Sequence, residues 1–226
     1  MRRMLRGTMV TMALMAVTGC VLPVDIVIGD DFHVRGSGHV IQEARAVPAF
    51  DGIEVSHAIE VRLVETGFEG VRVIAEDNLV PHLETRVRGG MLEIRFERGV
   101  SVSPRRAVVV EVDAYEVLEL RASGASRIEA DLAWSPERWV QMSGASSMRL
   151  YGAADRLHAT LSGASRLAAL DFETHRTDVD ISGASVAHVW VTDRLDAHAS
   201  GASHVRFIGW PEVRASVSGA SSVAPY

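Results

Sequence analysis

The sequence has little cysteine, no excess of positive charge and no metal-binding histidine motif. Cys20 is the only cysteine among the 226 residues, so a domain that follows it contains no internal disulfide. The formal net charge of −6 at pH 7 argues against nucleic acid as a partner. The nine histidines show no HxH or HExxH spacing, and no apolar stripe of helical period separates the alternating segments described below. We therefore expect no metal, no cofactor and no helical fold.

An apolar segment near the N-terminus predicts export. Three arginines precede apolar residues 8–17, and Val17-Thr18-Gly19-Cys20 follows. Such a segment is typical of a signal peptide and is too short to span a bilayer as a mature helix. It resembles the bacterial lipobox, and this resemblance implies lipidation of Cys20 and a stable membrane anchor. By the sorting rule of enteric bacteria, Val21 in place of Asp implies the outer membrane. The alternative is an ordinary signal peptide with an incidental cysteine.

The tetrapeptide Ser-Gly-Ala-Ser occurs six times in the second half of the chain. Successive copies are 20, 19, 20, 18 and 18 residues apart, and identical residues at a nearly constant period indicate stacked supersecondary units. The copies are Ser123–Ser126, Ser143–Ser146, Ser162–Ser165, Ser182–Ser185, Ser200–Ser203 and Ser218–Ser221.

Apolar and polar residues alternate on both sides of each tetrapeptide, as in Ile128–Leu132 and Leu157–Leu161. This period of two predicts half-buried strands, and breakers such as Gly152–Asp155 and Gly209–Pro211 separate them. Each repeat is therefore predicted to be strand, turn, strand and small-residue corner. Coils of 18–20 residues suit an all-β, single-stranded parallel β-solenoid, expected to be right-handed, better than a propeller.

The glycine of each tetrapeptide is a candidate structural corner because glycine allows positive φ and close approach of neighbouring coils. These corners are Gly124, Gly144, Gly163, Gly183, Gly201 and Gly219. Strict alternation would turn the last serine of each copy inward, whereas a bend at the glycine would turn the alanine inward, and both options stay open. The serine column is not predicted to be nucleophilic, since no histidine lies at a fixed offset from it.

The chain is divided into four predicted parts. Residues 1–19 are the lipoprotein signal peptide, 20–34 the lipidated cysteine and tether, 35–117 a less regular β head region, and 118–226 the regular solenoid repeats. Within the head, Val55–Ala58 looks like a degenerate corner, so the solenoid is predicted to begin near residue 53.

Head and repeats together carry a family resemblance. The head segments, in order, are Arg35–Gly38, Arg45–Val47, Phe50–Ile53, Ile59–Val61, Ala75–Leu79 and Gly90–Ile94, before Leu118-Glu119-Leu120 opens the repeats. Over about residues 35–223 the chain resembles the bacterial family called putative auto-transporter adhesin, head GIN domain. The resemblance implies a β-solenoid in the cell envelope and carries no catalytic residues. Val112–Tyr115 departs from the family, which commonly has a proline before the repeats.

A mildly basic strip is the candidate binding site. Outward residues just after the corners make up this strip: Arg127, Arg149, Arg166, His188, His204 and Arg206. An anionic glycan or lipid head group could bind there, although Glu129 weakens the strip and simple solvation is the alternative.

Three further features are weighed as sites. Asp178, Asp180 and Asp196, with His198, lie on two adjacent predicted coils, and paired carboxylates are what glycosidases require. Aromatic faces near the turns could stack on sugars or cap a core edge, and these are Trp134, Trp139, Trp190 and Trp210. The parallel edge of the last coil could support self-association.

The sequence thus predicts a non-enzymatic envelope lipoprotein that acts in adhesion or interaction through its solenoid faces. Its expected partners are the membrane, through Cys20, and a glycan or an envelope protein. The periplasmic face and the cell surface both stay open. A carbohydrate-active enzyme and a structural envelope spacer are the alternatives.

Overall fold

A computed structural model describes residues 32–226, and the predicted signal peptide, Cys20 and most of the tether lie outside this range. The described chain is all-β, with seventeen strands and a 3-10 turn at Val80–His82. No helix within residues 32–226 has the length and apolar character needed to cross a membrane. The strands are β1 (Phe32–Arg35), β2 (Val40–Arg45), β3 (Gly52–Val55), β4 (Ile59–Glu65), β5 (Gly70–Glu76), β6 (Leu83–Arg88), β7 (Met91–Phe96), β8 (Val100–Ser103), β9 (Val108–Ala114), β10 (Glu119–Ala122), β11 (Arg127–Met142), β12 (Ser147–Leu161), β13 (Arg166–Ile181), β14 (Val186–Ala199), β15 (His204–Ile208), β16 (Glu212–Val217) and β17 (Ser222–Pro225).

Strands β11 to β14 each run from one Ser-Gly-Ala-Ser corner to the next and stack in parallel. Their first halves form one face of the coil stack, where Ile128 pairs with Met148 and Met148 with Leu167. Their second halves form another face, where Val140 pairs with Ala159. We call these the post-corner face and the pre-corner face. The prediction of a parallel β-solenoid is confirmed.

Alternation along each strand separates the core from the surface. In β11, Ile128, Ala130 and Leu132 are buried, and the residues between them are exposed. Burial of a side chain the size of leucine or isoleucine contributes roughly 1.5–3 kcal/mol, so a repeated ladder of such residues supplies most of the stabilisation. Alanines such as Ala130 and Ala159 keep the space between the faces narrow.

The bend between the two faces absorbs the differences in coil length. Register shifts occur at this bend or shortly before it, between Leu132 and Ser135 in β11, between Arg149 and Tyr151 in β12, and between Ala169 and Arg176 in β13. The corners, in contrast, stack without a shift. From Ala145 to Ala220, the alanine N–H of each corner donates to the glycine carbonyl of the preceding corner, at 2.7 Å from Ala145 to Gly124. The variation of 18 to 20 residues between successive corners therefore arises in and beside the bend, and not at the corners.

Glycine is required at the corners by both conformation and space. Gly163 has φ of 76°, and a Cβ added there would lie 2.5 Å from the carbonyl oxygen of Gly144. The same close approach recurs at each corner from Gly144 to Gly219. The last serine of the tetrapeptide points inward, as Ser146 and Ser165 are 1% exposed with their hydroxyls 3.3 Å apart. The corner alanines are exposed, which resolves the option that the sequence left open.

The head supplies two further coils, stacked in an order that differs from chain order. Strand β3 pairs in parallel with both β10 and β7, and β4 pairs with both β11 and β9. The coil of β3 and β4 therefore lies between the first repeat and the coil of β7 and β9. Strands β2, β5 and β6 then continue the sheet in antiparallel pairing.

The degenerate corner at Val55–Ala58 takes the place of a glycine corner. His57 has φ of 72°, the one non-glycine residue with positive φ in the described chain, and its carbonyl accepts a hydrogen bond from Ala125 N–H at 3.1 Å. In chain order β3 is the first strand of the stacked coils, and a solenoid that begins near residue 53 stays a prediction. The boundary between head and repeats at residue 118 stays a prediction.

Candidate functional site

The strip residues lie in two adjacent columns on the post-corner face. The first column contains Arg127, Ser147, Arg166, Val186 and His204, each the register partner of the next. The second contains Glu129, Arg149, Ala168, His188 and Arg206 in the same coils. The solenoid fold therefore brings together six side chains that are up to 79 residues apart in sequence.

Three of these arginines surround a shallow hollow of about 270 Å³. Arg127, Arg149 and Arg166 line it, and Ser147 lies between Arg127 and Arg166 in the first column. Glu129 is also in the lining, but it accepts a hydrogen bond from the Tyr151 hydroxyl at 3.2 Å. We call this the arginine hollow. Among residues 32–226, none of the three guanidinium groups has a carboxylate oxygen within 4.0 Å.

Local contacts shift the pKa values of Arg149 and of His188 in opposite directions. The Tyr151 hydroxyl, and more weakly the charge of Glu129, raise the pKa of Arg149. Burial lowers the pKa of His188, and the charges of Arg166 and Arg206 lower it further. These shifts favour the charged form of Arg149 and the neutral form of His188 at neutral pH.

The strip residues closest to the C-terminus contact residues 222–226. His188 meets the Tyr226 ring edge-on, with ring centroids 5.3 Å apart. Arg206 donates to the carbonyl of Pro225 at 3.2 Å, and His204 Nδ1 lies 2.8 Å from the Ser222 hydroxyl. These side chains are engaged with the last coil, so the arginine hollow is the part of the strip most open to a ligand.

Three arginines in the repeat coils of the pre-corner face are paired with carboxylates. Arg194 contacts Asp196 at 2.6 and 3.0 Å, and Arg121 contacts Glu119 at 2.7 and 2.9 Å. Arg214 reaches Glu212 at 3.0 Å. The pre-corner face is therefore close to neutral locally, although its backbone is the same as that of the post-corner face.

The carboxylates considered for catalysis lie on the pre-corner face. Asp178 contacts His158 Nδ1 at 3.2 Å and Arg156 at 3.7 Å, and the hydrogen bond from Arg194 lowers the pKa of Asp196. Asp180 lies beside His198 in the neighbouring coil. Within the part of the chain that the structure describes, no group of three His, Cys, Asp or Glu residues is placed to hold a metal ion. Asp178 and Asp196 therefore already contact neighbouring cationic or imidazole side chains.

The four tryptophans have different surroundings. Trp139 stacks on His158, with centroids 3.9 Å apart and an interplanar angle of 12°. Trp139 also lines an open groove of about 610 Å³ between the head and the first repeat coils. Trp134 and Trp210 are 61% and 97% exposed, and Trp190 is half-buried.

The last strands expose residues that would be inward in a middle coil. All six residues of β16 are exposed, and among them Val213 and Val217 are 40% and 46% exposed. Association of two copies through this edge stays a prediction.

A buried ion pair that sequence reasoning missed joins the head to the first repeat. The side chains of Glu65 and Arg138 are 1% and 2% exposed and make two contacts of 2.8 and 2.9 Å. Glu65 also accepts from the backbone N–H groups of Val117 and Ala133, both at 2.7 Å. Arg138 donates in turn to the carbonyls of the same two residues. The partners are 73 residues apart, so no local pattern could have identified them.

A second buried carboxylate holds the head together. Glu76 is fully buried and accepts hydrogen bonds from the backbone N–H groups of Gly38 and Arg105, at 2.5 and 2.8 Å. Burial alone raises the pKa of Glu76, but these bonds, a third from Arg106 and the charge of Arg105 outweigh it and lower the pKa. The folded state therefore favours the ionised form of the Glu76 carboxyl group.

Comparisons with known proteins place the fold and the family. A family model described as "Putative auto-transporter adhesin, head GIN domain" matches residues 49–211. A crystal structure of a putative adhesin from Bacteroides fragilis has a TM-score of 0.69 at 13% identity, covering 85% of this chain and 98% of that one. One from Parabacteroides merdae has a TM-score of 0.55 at 18% identity, covering 86% and 99%.

A third solved structure, of a putative lipid binding protein from Parabacteroides distasonis, has a TM-score of 0.51 at 19% identity, covering 86% of this chain and 99% of that one. At these identities the structures show a shared fold and nothing of ligands. No curated protein matches the sequence.

Proposed function

This chain belongs to the family described as putative auto-transporter adhesin, head GIN domain, and from that premise we propose that it is a non-enzymatic interaction module of the cell envelope. Its post-corner face binds an anionic group through the arginine hollow. The family description fits an envelope or surface location. Attachment to the outer membrane through a lipid on Cys20 is part of the proposal.

The observation that carries the proposal is the unpaired state of Arg127, Arg149 and Arg166 within the described residues. The Cα atoms of Arg127 and Arg166 are two strand spacings apart, about 10 Å in the direction in which the coils stack. Two like charges at that distance repel by about 0.4 kcal/mol in bulk water, so the cluster is stable without a ligand. A sulfate or phosphate ester between them would make charge-assisted hydrogen bonds, each contributing about 1.5–3 kcal/mol.

The ligand chemistry is a sulfate or phosphate ester, which a glycan or a lipid head group can present. Heparin and vesicles of phosphatidylglycerol are the two probes that separate these sources. We expect the wild-type chain to bind at least one of them, with an affinity that falls as salt rises because the contacts are exposed.

A matched pair of variants tests the site. The triple variant Arg127→Glu, Arg149→Glu and Arg166→Glu is expected to lose about 100-fold in affinity. The control variant Arg121→Glu, Arg156→Glu and Arg194→Glu changes the net charge equally on the pre-corner face and is expected to lose less than about threefold. Equal losses in both variants would contradict the proposal. Absence of binding to either probe would favour a structural spacer.

The envelope location has its own test. Protease shaving and antibody labelling of intact cells, with Cys20→Ser as control, report the exposed side of the membrane. We expect labelling that disappears in the Cys20→Ser control. Protection until the outer membrane is opened would exclude adhesion to other cells and would leave a periplasmic partner as the target.

A further inference from the structure

We propose that the groove beside Trp139 binds an uncharged pyranose ring of a glycan. This site is separate from the arginine hollow and does not depend on the function proposed above. The Trp139 groove is the space of about 610 Å³ lined by Gly52, Met91, Leu118, Glu119 and Trp139, with charged side chains around them. Trp139 was a candidate in the sequence, whereas the other four residues were not.

Register brings head and repeat residues together at this groove. Met91, Gly52, Glu119, Trp139 and His158 follow one another in a single outward column of the pre-corner face. Gly52 contributes no side chain to that column, and the Met91 thioether lies over it, with its sulfur 2.8 Å from the position that a Cβ would take. Head and repeats therefore form the groove jointly.

The indole of Trp139 is fixed as a platform. His158 stacks on it at 3.9 Å, and the imidazole is itself held by Glu137 at 2.7 Å and Asp178 at 3.2 Å. Trp139 is 44% exposed and lines the groove, whereas His158 does not line it. A preformed aromatic surface binds without the cost of ordering a flexible side chain.

The polar lining offers both donors and acceptors. Glu119 contacts Arg121 at 2.7 Å and Gln141 at 2.9 Å, and Glu116 accepts from Ser135 at 3.2 Å. Arg88 and Asp51 line the same groove and have no side-chain hydrogen bond or ion pair within residues 32–226. A guanidinium and a carboxylate left available suit a ligand with many hydroxyls.

The size and charge of the groove narrow the ligand class. A volume of 610 Å³ lies within the range of about 300–1,000 Å³ that is usual for small-molecule sites. Most of the lining carboxylates already accept a hydrogen bond, which disfavours a cation. A pyranose has an apolar C–H face for the indole and hydroxyls for the rim, so it fits both parts of the groove.

The test uses the purified full chain and the methyl pyranosides of glucose, galactose, mannose and N-acetylglucosamine as probes. Saturation-transfer NMR and tryptophan fluorescence measure binding, with Kd expected on the order of 1 mM for a ligand of about twelve non-hydrogen atoms. We expect Trp139→Ala to weaken binding about tenfold and Trp139→Phe to lose only about threefold.

Trp134→Ala is the matched control, because Trp134 is also exposed but does not line the groove. It is expected to leave binding unchanged. Both variants are expected to stay folded, which far-ultraviolet circular dichroism checks. Trp139→Ala loses the stacking contact with His158 and is expected to melt at a slightly lower temperature. The arginine-hollow triple variant and added salt are also expected to leave sugar binding unchanged, which separates failure of this inference from failure of the proposed function.

Three results would overturn the inference. The first is that no sugar in the panel binds. The second is that Trp134→Ala weakens binding as much as Trp139→Ala. The third is that tetramethylammonium chloride binds in the groove and the sugars do not, which would make the site a cation site.

Discussion

Head and repeats share one fifteen-stranded sheet, apart from head strands β1 and β8, which pair with each other, but the two regions are stabilised in different ways. The repeats rely on one device used at every coil, a glycine corner that allows the backbones to approach closely, as at Gly144 and Gly163. The head relies on buried charged groups that each occur once, Glu76 and the Glu65–Arg138 pair. A corner that is repeated in every coil produces a periodic sequence pattern, whereas a buried contact that occurs once produces no such pattern.

The largest expected effect concerns the buried pair at the junction. Glu65→Ala leaves Arg138 buried without its counter-ion, which costs about 3–5 kcal/mol of unfolding free energy. Urea unfolding measures this loss. Glu60→Ala is the control, because Glu60 lies in the same strand but its partner Arg62 is half exposed. This control variant is expected to lose less than about 1 kcal/mol.

The double variant Glu65→Leu with Arg138→Met sharpens this prediction. Replacement of a buried pair by apolar side chains removes the uncompensated charge, but it also removes the hydrogen bonds to the backbone of Val117 and Ala133. We therefore expect a stability between that of Glu65→Ala and that of the wild type. A double variant as unstable as Glu65→Ala would mean that the hydrogen bonds to Val117 and Ala133 matter more than the charge pairing.

The next effect concerns the corners. Gly163→Ala places a Cβ 2.5 Å from the Gly144 carbonyl oxygen at a positive φ, and we expect a loss of roughly 2–3 kcal/mol. Thermal unfolding measures the loss. Gly67→Ala is the control, since Gly67 also has positive φ but has no atom within 4 Å of the added Cβ. Equal losses would show that φ strain alone, and not coil stacking, requires glycine at the corner.

A smaller, opposite effect is expected at the degenerate corner of the head. His57→Gly relieves the positive φ of a non-glycine residue, and we expect a gain of about 1 kcal/mol. The T-shaped contact between His57 and Phe96 is lost, which limits the gain. A loss of stability in thermal unfolding would mean that this ring contact outweighs the backbone strain.

The last effect appears only at acid pH. The pKa of Glu76 is lowered from its ordinary value of 4.5, so its contribution to stability is complete above pH 4.5 and is lost as the pH falls through the lowered pKa. Urea midpoints measured from pH 6 down to pH 3 should decline in the wild type. They should decline less in Glu76→Gln, and parallel curves would contradict the assignment to Glu76.

The repeats could be predicted from sequence because alternation and corner spacing are local. The inward position of the last serine needed the structure, since both geometries satisfy the same pattern. Head strand β3 was recognisable through Val55–Ala58, but its position between the first repeat and β7 was not, because stacking order depends on contacts distant in sequence. The strip residues could be grouped from the sequence. The lack of a carboxylate beside Arg127 and Arg166 within residues 32–226 could not, because it depends on which side chains the neighbouring coils bring close.

The measurement that tests the central claim most directly is an NMR titration of the arginine side-chain Nε–Hε signals with a sulfated oligosaccharide. Signals of Arg127, Arg149 and Arg166 are expected to shift together with one Kd, while those of Arg121 and Arg194, which are paired with carboxylates, stay in place. Uniform small shifts across all arginines, or shifts confined to the pre-corner face, would contradict the assignment of the arginine hollow as an anion-binding site.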